Sequence, residues 1–312
     1  MRVATLETSV YVIFSLLFLL LSFASIFAYY LGRRNPEKDY QELYLRIKSW
    51  WWMIAIFFIA VAVNRHLTLI FFALLSFLAL KEYLSLVPTR RADRRVLFWA
   101  YLTIPFQFIW ISMNWYGMFI IFIPVYAFLL IPIRMLIIGE THDFLRAIGS
   151  LHWGLMTTVF SLSHIAYLFV LPESGGEQSG AALVLYLVLL TQLNDVGQYV
   201  WGKNFGRRKV IPKVSPNKTV EGLLGGVTTT TVISMLIAPF LTPLNFFEAI
   251  GAGLVIGLGG FIGDVTISAL KRDLGVKDTG SLIPGHGGIL DRLDSLTYTA
   301  PLFFHFIYYF HY

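Results

Sequence analysis

The fold is decided by an uncharged stretch near the start of the chain, "TSVYVIFSLLFLLLSFASIFAYYL", residues 8–31. About 20 apolar residues in a helix cross a hydrocarbon core of ~30 Å, so this stretch is long enough to span a membrane. Similar runs recur, and the 312-residue chain is 57% hydrophobic and 13% charged, where a soluble domain carries roughly 25% charged residues. Alternating segments of about ten residues, typical of membrane barrels, are absent. The sequence predicts an all-α polytopic integral membrane protein.

The apolar runs predict about ten transmembrane helices. Nine is the alternative number, because the second and fourth runs are short enough to be tilted, fused or partly re-entrant. The first run is too long for the apolar core of a signal peptide and no cleavage site follows it, so we expect it to be retained. The predicted spans are residues 8–31, 49–63, 67–87, 96–111, 115–138, 153–171, 181–201, 222–239, 247–270 and 295–312.

The distribution of basic residues predicts the orientation. With the N-terminus outside, 21 of the 24 Lys and Arg residues fall on the cytoplasmic side, as the positive-inside rule requires. This placement indicates anionic lipid headgroups as partners and no nucleic acid. We expect a protein of the bacterial inner (cytoplasmic) membrane with its site on the cytoplasmic face. The loops that carry these charges are 32–48, 88–95, 134–152, 202–221 and 271–294.

The sequence predicts one membrane domain, residues 1–312, without internal repeats. Residues 1–180 are mostly plain apolar spans, and we expect them to embed the protein in lipid. Residues 181–312 hold the buried polar groups and charged loops, and we expect them to carry the chemistry. The absence of cysteine excludes disulfides, thiolate metal sites and cysteine nucleophiles.

Two predicted spans contain aspartates that a bilayer tolerates only at a cost of roughly 2.5–3.5 kcal/mol each. Asp195 lies in "TQLNDVGQYVWG" (191–202) and Asp264 in "GLGGFIGDVTISALKR" (257–272). The topology places both near the cytoplasmic ends of their spans, at the depth of Asp291 and Asp294. One interpretation is that each aspartate neutralises a neighbouring lysine and holds the bundle together. The other is a functional carboxylate cluster.

Carboxylates gathered without cysteine suit a hard cation such as Mg²⁺, held beside substrate phosphates. The segment "SPNKTVEG" (215–222) supplies donors for such phosphates, although its residues are also ordinary turn and cap formers. "PGHGG" (284–288) allows close backbone approach to a ligand. We expect its histidine to have a hydrogen-bonding or structural role rather than to bind a metal. The residue types and their positions alone indicate phosphoryl or nucleotidyl transfer on a lipid headgroup.

The stretch 268–295 also resembles the motif of phosphatidate cytidylyltransferases (CDP-diacylglycerol synthases). Twelve positions match at the expected spacing, and the similarity extends over about residues 190–295, including Asn194-Asp195 and "SPNKTVEG". The matching residues are Ser268, Lys271, Arg272, Lys277, Asp278, Pro284, His286, Gly287, Gly288, Asp291, Arg292 and Asp294.

The resemblance implies that a lipid phosphate, phosphatidate or a relative, attacks CTP to give CDP-diacylglycerol and pyrophosphate. It implies metal binding by Asp264 and Asp291, with Mg²⁺ as the expected ion and a second cation left open. It also implies a homodimer, which no sequence feature demonstrates. The catalytic residues would be Asp264, Asp291, Lys271 and Asp294. The substrate-binding residues would be Ser215, Asn217, Lys218, Thr219, Ser268, Arg272, Lys277, Asp278, His286, Gly287, Gly288, Arg292 and Asp195.

Two positions depart from the family pattern. Ile267 stands where relatives usually carry a glutamate, and Gln198 precedes Tyr199 where many have a small residue. These departures leave open whether a second metal site exists and which lipid phosphate is the substrate. They indicate a divergent subfamily. The alternatives are a CTP-dependent polyprenol or lipid kinase, which would release CDP, and an ion-coupled transporter, which inverted repeats would favour.

Overall fold

The computed structural model describes residues 8–34, 37, 39–88, 90, 94–172, 179–283 and 287–312, and these residues fold mainly into helices. The all-α prediction is confirmed. The helices are α1 (Thr8–Arg34), α2 (Gln41–Ala62), α3 (Arg65–Leu86), α4 (Arg94–Ser112), α5 (Tyr116–Ile138), α6 (Phe144–Val170), α7 (Gly180–Phe205), α8 (Val220–Leu241), α9 (Phe246–Asp273), the single turn α10 (Leu290–Leu293) and α11 (Leu296–His311).

Every predicted span coincides with a helix, and eight of these helices are long and apolar enough to cross a membrane. The other two are α4, which opens on a pair of arginines, and α11, which has 16 residues. The second span begins earlier than predicted, at Gln41, so Trp50, Trp51 and Trp52 lie inside α2 rather than at its start.

The helices differ strongly in burial. Most of α6 and α7 is buried, so they form the centre of the bundle, whereas few residues of α1 and α2 are buried and α1 exposes most of its apolar side chains. In a membrane such exposed apolar faces contact lipid. Both α5 and α6 contain a π-helical turn, at Phe122–Ala127 and Leu155–Phe160.

Glycines allow α7, α8 and α9 to pack closely. A side chain at Gly226 of α8 would place its Cβ 3.0 Å from the backbone nitrogen of Gln198 in α7. A Cβ at Gly253 of α9 would lie 2.6 Å from the Cα of Thr231 in α8. Small residues are typical of such membrane helix contacts because they let backbones approach. This packing brings the polar ends of the three helices together.

Candidate active site

The centre of the site is the contact between α9 and the start of α11. A Cβ at Gly263 would lie 2.5 Å from the carbonyl oxygen of Asp294, so only glycine allows this approach. Ser295 Oγ lies 3.0 Å from Oδ2 of Asp195 and donates a hydrogen bond to that carboxylate. Carboxylates from α7, α9 and the α10–α11 junction therefore meet at one end of the bundle, with Asp264 next to Gly263. That these acids and Asp291 lie at one membrane depth stays a prediction.

Lys218 forms an ion pair with Asp264. Gln198 Oε1 accepts a second hydrogen bond from the Lys218 ammonium at 3.1 Å, and Ser268 Oγ donates to Asp264 Oδ1 at 3.2 Å. The lysine is held in place because Val210 N donates to its carbonyl oxygen at 3.2 Å, which closes the loop before α8. The pair joins a predicted phosphate-binding residue to a predicted metal ligand.

A second ion pair joins Lys271 to Asp291, with Nζ 2.7 Å from Oδ1. The other carboxylate oxygen of Asp291 accepts hydrogen bonds from Thr279 N at 2.8 Å, Thr279 Oγ1 at 2.9 Å and Gly288 N at 3.0 Å. A Cβ at Gly287 would lie 2.8 Å from that same oxygen. Thr279, Gly287 and Gly288 therefore enclose Asp291 and hold it against Lys271.

The two carboxyls of the α10 turn have opposite pKa shifts. Desolvation raises the pKa of Asp291, but the hydrogen bonds from Lys271, Thr279 and Gly288 outweigh it, and the pKa lies below its usual value. The pKa of Asp294 is raised well above its usual value, first by desolvation and then by the charges of Asp264 and Asp195. Asp291 is thus ionised at neutral pH, and a bound cation would relieve the repulsion around Asp294.

Glu82 of α3 is part of the site, although sequence reasoning assigned this helix to lipid embedding. Its carboxylate accepts hydrogen bonds from Ile289 N at 2.9 Å and Leu290 N at 3.1 Å. The Thr279 hydroxyl lies between this carboxylate and Oδ2 of Asp291 and shares its one proton between them. A Cβ at Gly288 would lie 1.9 Å from Oε1 of Glu82, so this glycine makes room for it. The available signal was a carboxylate inside an apolar span, the same signal that identified Asp195 and Asp264.

Other predicted site residues have structural or solvent-facing positions. Thr219 caps α8 by accepting a hydrogen bond from Gly222 N at 3.1 Å, and Arg272 Nε donates to Val214 O at 3.2 Å. Lys277 and Asp278 are exposed. Among the described residues, the side chains of Ser215 and Asn217 form no hydrogen bond with the acids, and Arg292 has a buried Nε without a hydrogen-bond partner. His286 and Pro284 lie outside the described residues.

The donor set has the chemistry of a magnesium site but not the geometry of a complete one. In the part of the chain that the structure describes, no three acidic or histidine side chains lie close enough together to hold a metal ion. Mg²⁺ usually takes one or two carboxylates and completes its shell with substrate phosphates and water. Asp264 and Asp291 fit that pattern, each in contact with a lysine that could pair with a phosphate instead. Ile267 is fully buried in the apolar core.

A bundle of apolar helices with two lysine–aspartate pairs at one end is the arrangement expected of an integral membrane enzyme that acts on phosphate groups. The chain matches the model of the cytidylyltransferase family over residues 44–310. It belongs to this family, and it is a nucleotidyltransferase. The resemblance stated from residues 268–295 is confirmed.

Three relatives show how far the similarity extends. The uncharacterized protein YnbB of Escherichia coli (strain K12) is 49% identical over 94% of this chain and 96% of its own. The phosphatidate cytidylyltransferase of Staphylococcus aureus (strain COL) is 38% identical over 47% of this chain and 58% of its own. That of Staphylococcus haemolyticus (strain JCSC1435) is 35% identical over the same shares. The match therefore covers less than two thirds of each staphylococcal enzyme, while the similarity to YnbB runs almost end to end.

Proposed function

We propose that this protein transfers the cytidylyl group of CTP to a membrane lipid phosphate, with phosphatidate as the acceptor. The observation that carries the proposal is the pair of ion pairs, Lys218–Asp264 and Lys271–Asp291, at one end of a membrane bundle. Membership of the cytidylyltransferase family supports CTP as the donor, and the staphylococcal relatives named phosphatidate cytidylyltransferase support the acceptor.

In the proposed reaction, an oxygen of the lipid phosphate attacks the α-phosphorus of CTP. A new bond between that oxygen and the α-phosphorus forms, the bond from the α-phosphorus to the bridging oxygen of the β-phosphate breaks, and pyrophosphate leaves. Both reactants are anions, so fixed positive charge at the reacting phosphates lowers the barrier. Lys218, Lys271 and Arg272 are the cations that we assign to this role.

The ion pairs explain how the site is stable without substrate. Each lysine has an aspartate as a partner, so neither charge is left alone in a partly buried position. When nucleotide and cation bind, each lysine would pair with a phosphate and each aspartate with the cation. Asp264 and Asp291 would hold Mg²⁺, and the ion would neutralise charge on the transferring phosphates.

We propose that the reaction takes place on the cytoplasmic face of a bacterial inner membrane, and that the protein forms a homodimer. The charge asymmetry of the loops supports the face, because CTP and the basic loops would share one side. Lys271 and Arg272 lie in the last turn of α9, where basic residues also complement the helix dipole.

The deciding experiment follows labelled CTP in detergent or liposomes with Mg²⁺ and phosphatidate. We expect CDP-diacylglycerol and pyrophosphate as products. Asp291→Asn removes the carboxylate that Lys271, Thr279 and Gly288 hold, and we expect about a 100-fold or greater loss of pyrophosphate release. Asp273→Asn at the exposed end of α9 is the matched control and should retain full activity.

The product identifies the reaction class independently of any variant. Release of CDP with a phosphorylated lipid would establish the kinase alternative instead. Full activity of Asp291→Asn would contradict the assigned site even if CDP-diacylglycerol is formed. Substitution of polyprenol phosphates for phosphatidate in the same assay tests the lipid acceptor.

A further inference from the structure

An apolar groove lies between α4 and α5, in a part of the chain that the proposed reaction does not use. Its cavity has a volume of about 420 Å³, within the usual range of ligand sites. Its walls are almost entirely apolar, and many of the wall residues face the lipid side of the bundle. They include Trp99, Leu102, Phe106, Leu130 and Ile137.

The groove has an aromatic end and a charged end. At the aromatic end, the rings of Trp110 and Phe122 meet edge to face with their centroids 6.2 Å apart. At the other end lies Arg134, the one charged residue of the lining. From Trp99 to Trp110, α4 rises about 16 Å at ~1.5 Å per residue, roughly half of a ~30 Å hydrocarbon core. The groove therefore runs through about one leaflet.

Arg134 has no anionic partner within the described parts of the chain. Its Nε is fully buried and receives no hydrogen-bond acceptor from any described residue. Nε is shielded from the groove, but the two terminal nitrogens of the guanidinium group are not buried and have no acceptor among the described residues, so they are the atoms that can bind an anion in the groove. The guanidinium group is well suited to a phosphate, which it binds through two parallel hydrogen bonds.

Arg134 lies at the end of the groove where a lipid headgroup would be bound. It lies in the last turns of α5, whose end is on the same side of the bundle as the start of α4, because the two helices are antiparallel neighbours joined by a short turn. Arg94 and Arg95 open α4 on that side and are exposed. Basic groups at a membrane surface attract anionic lipids.

We propose that this groove binds one acyl chain of an anionic phospholipid, with the lipid phosphate on Arg134. The site is separate from the cytidylyl-transfer site and does not depend on the proposed reaction. Its length matches a chain lying within one leaflet, and its charge is at the end where the headgroup would lie.

Native mass spectrometry of the full-length protein tests this with equimolar phosphatidylglycerol and phosphatidylcholine as probes. We expect one phosphatidylglycerol to be retained about fivefold better than phosphatidylcholine, the effect of one basic residue at a lipid surface. Arg134→Gln should abolish that preference. Arg146→Gln, which removes an exposed arginine from α6, should keep it.

A second variant tests the groove without changing charge. Leu130 is 60% exposed on the groove wall, so Leu130→Trp should fold and fill the space for the chain, and both lipids should be lost. Equal retention of the two lipids by the wild-type protein would overturn the proposal, as would retention of phosphatidylglycerol by Arg134→Gln at the level of Arg146→Gln. The proposal would also be overturned if the wild-type protein is a dimer without lipid in this groove and Leu130→Trp dissociates it. The groove would then bind a second copy of the chain.

Discussion

At the scale of single residues, Gln198 gives a physical account of one departure from the family pattern. Its Oε1 accepts a hydrogen bond from Lys218, which is also paired with Asp264. Gln198 thereby helps to fix the direction of a lysine that we assign to a phosphate. Its own Nε2 is buried without a hydrogen-bond partner among the described residues, so the side chain is retained at some cost to stability.

We predict that Gln198→Leu weakens nucleotide binding while the protein remains folded. A hydrogen bond to a charged group contributes about 1.5–3 kcal/mol, so the KM for CTP should rise roughly tenfold or more, with a smaller change in kcat. Steady-state kinetics measures both. Gln192→Leu on the same helix is the matched control, and an unchanged KM in Gln198→Leu would show that Lys218 does not need this acceptor.

We predict that Glu82→Leu loosens the segment 288–290, which its carboxylate holds. The substitution leaves the amides of Ile289 and Leu290 without their acceptor, and each unsatisfied buried donor costs about 1–3 kcal/mol. Hydrogen exchange at these two amides should accelerate strongly. Glu42→Leu, which removes an exposed carboxylate from α2, should leave their exchange unchanged. Protection of both amides in Glu82→Leu would contradict the role assigned to this carboxylate.

The sequence allowed prediction of the acids and lysines of the site but not of their supports. Asp195 and Asp264 stood out because charged groups are rare in membrane spans. Thr279 did not, because a hydroxyl in a polar loop is common and nothing in one sequence shows that it binds Asp291. Glu82 lies 197 residues from Thr279 in the chain, and only the packing of α3 against α10 brings them together.

At the scale of helices, the positions of the spans were predictable and their ends were not. Apolar runs are long enough to identify each helix, but some helices extend beyond the apolar run into polar residues. α2 begins at Gln41 within a charged segment because Glu42 is in the first turn and pairs with Arg46 four residues later. The close contact of α9 with α11 was not predictable either, because a glycine-rich helix does not indicate which partner it approaches.

We predict that Gly263→Ala and Gly149→Ala have opposite effects on stability. Replacing a helical glycine by alanine in open space stabilises a helix by up to about 1 kcal/mol, and a Cβ at Gly149 would meet no described atom of another helix or loop within 4 Å. At Gly263 the new Cβ would meet the carbonyl oxygen of Asp294 at 2.5 Å and force α9 and α11 apart. Thermal unfolding in detergent measures both, and a stabilised Gly263→Ala would contradict the close packing.

At the scale of the whole molecule, the absence of cysteine makes the orientation directly testable. We predict that Lys213→Cys, in the exposed loop before α8, reacts with a membrane-impermeant thiol reagent only in inside-out vesicles. Met113→Cys, in the exposed turn between α4 and α5, should react only in right-side-out vesicles. Labelling of both cysteines from the same side would refute the topology inferred from the basic loops.

The hydrogen bonds of Glu82 also bear on how this enzyme can be divided or recombined. The carboxylate belongs to the third helix, yet it anchors the loop that carries Asp291 almost at the other end of the chain. A fragment that begins at α7 would keep both lysine–aspartate pairs and lose that anchor. A chimera that grafts the C-terminal half of this chain onto the membrane helices of another protein must therefore bring α3 along, or provide an acid at the same place.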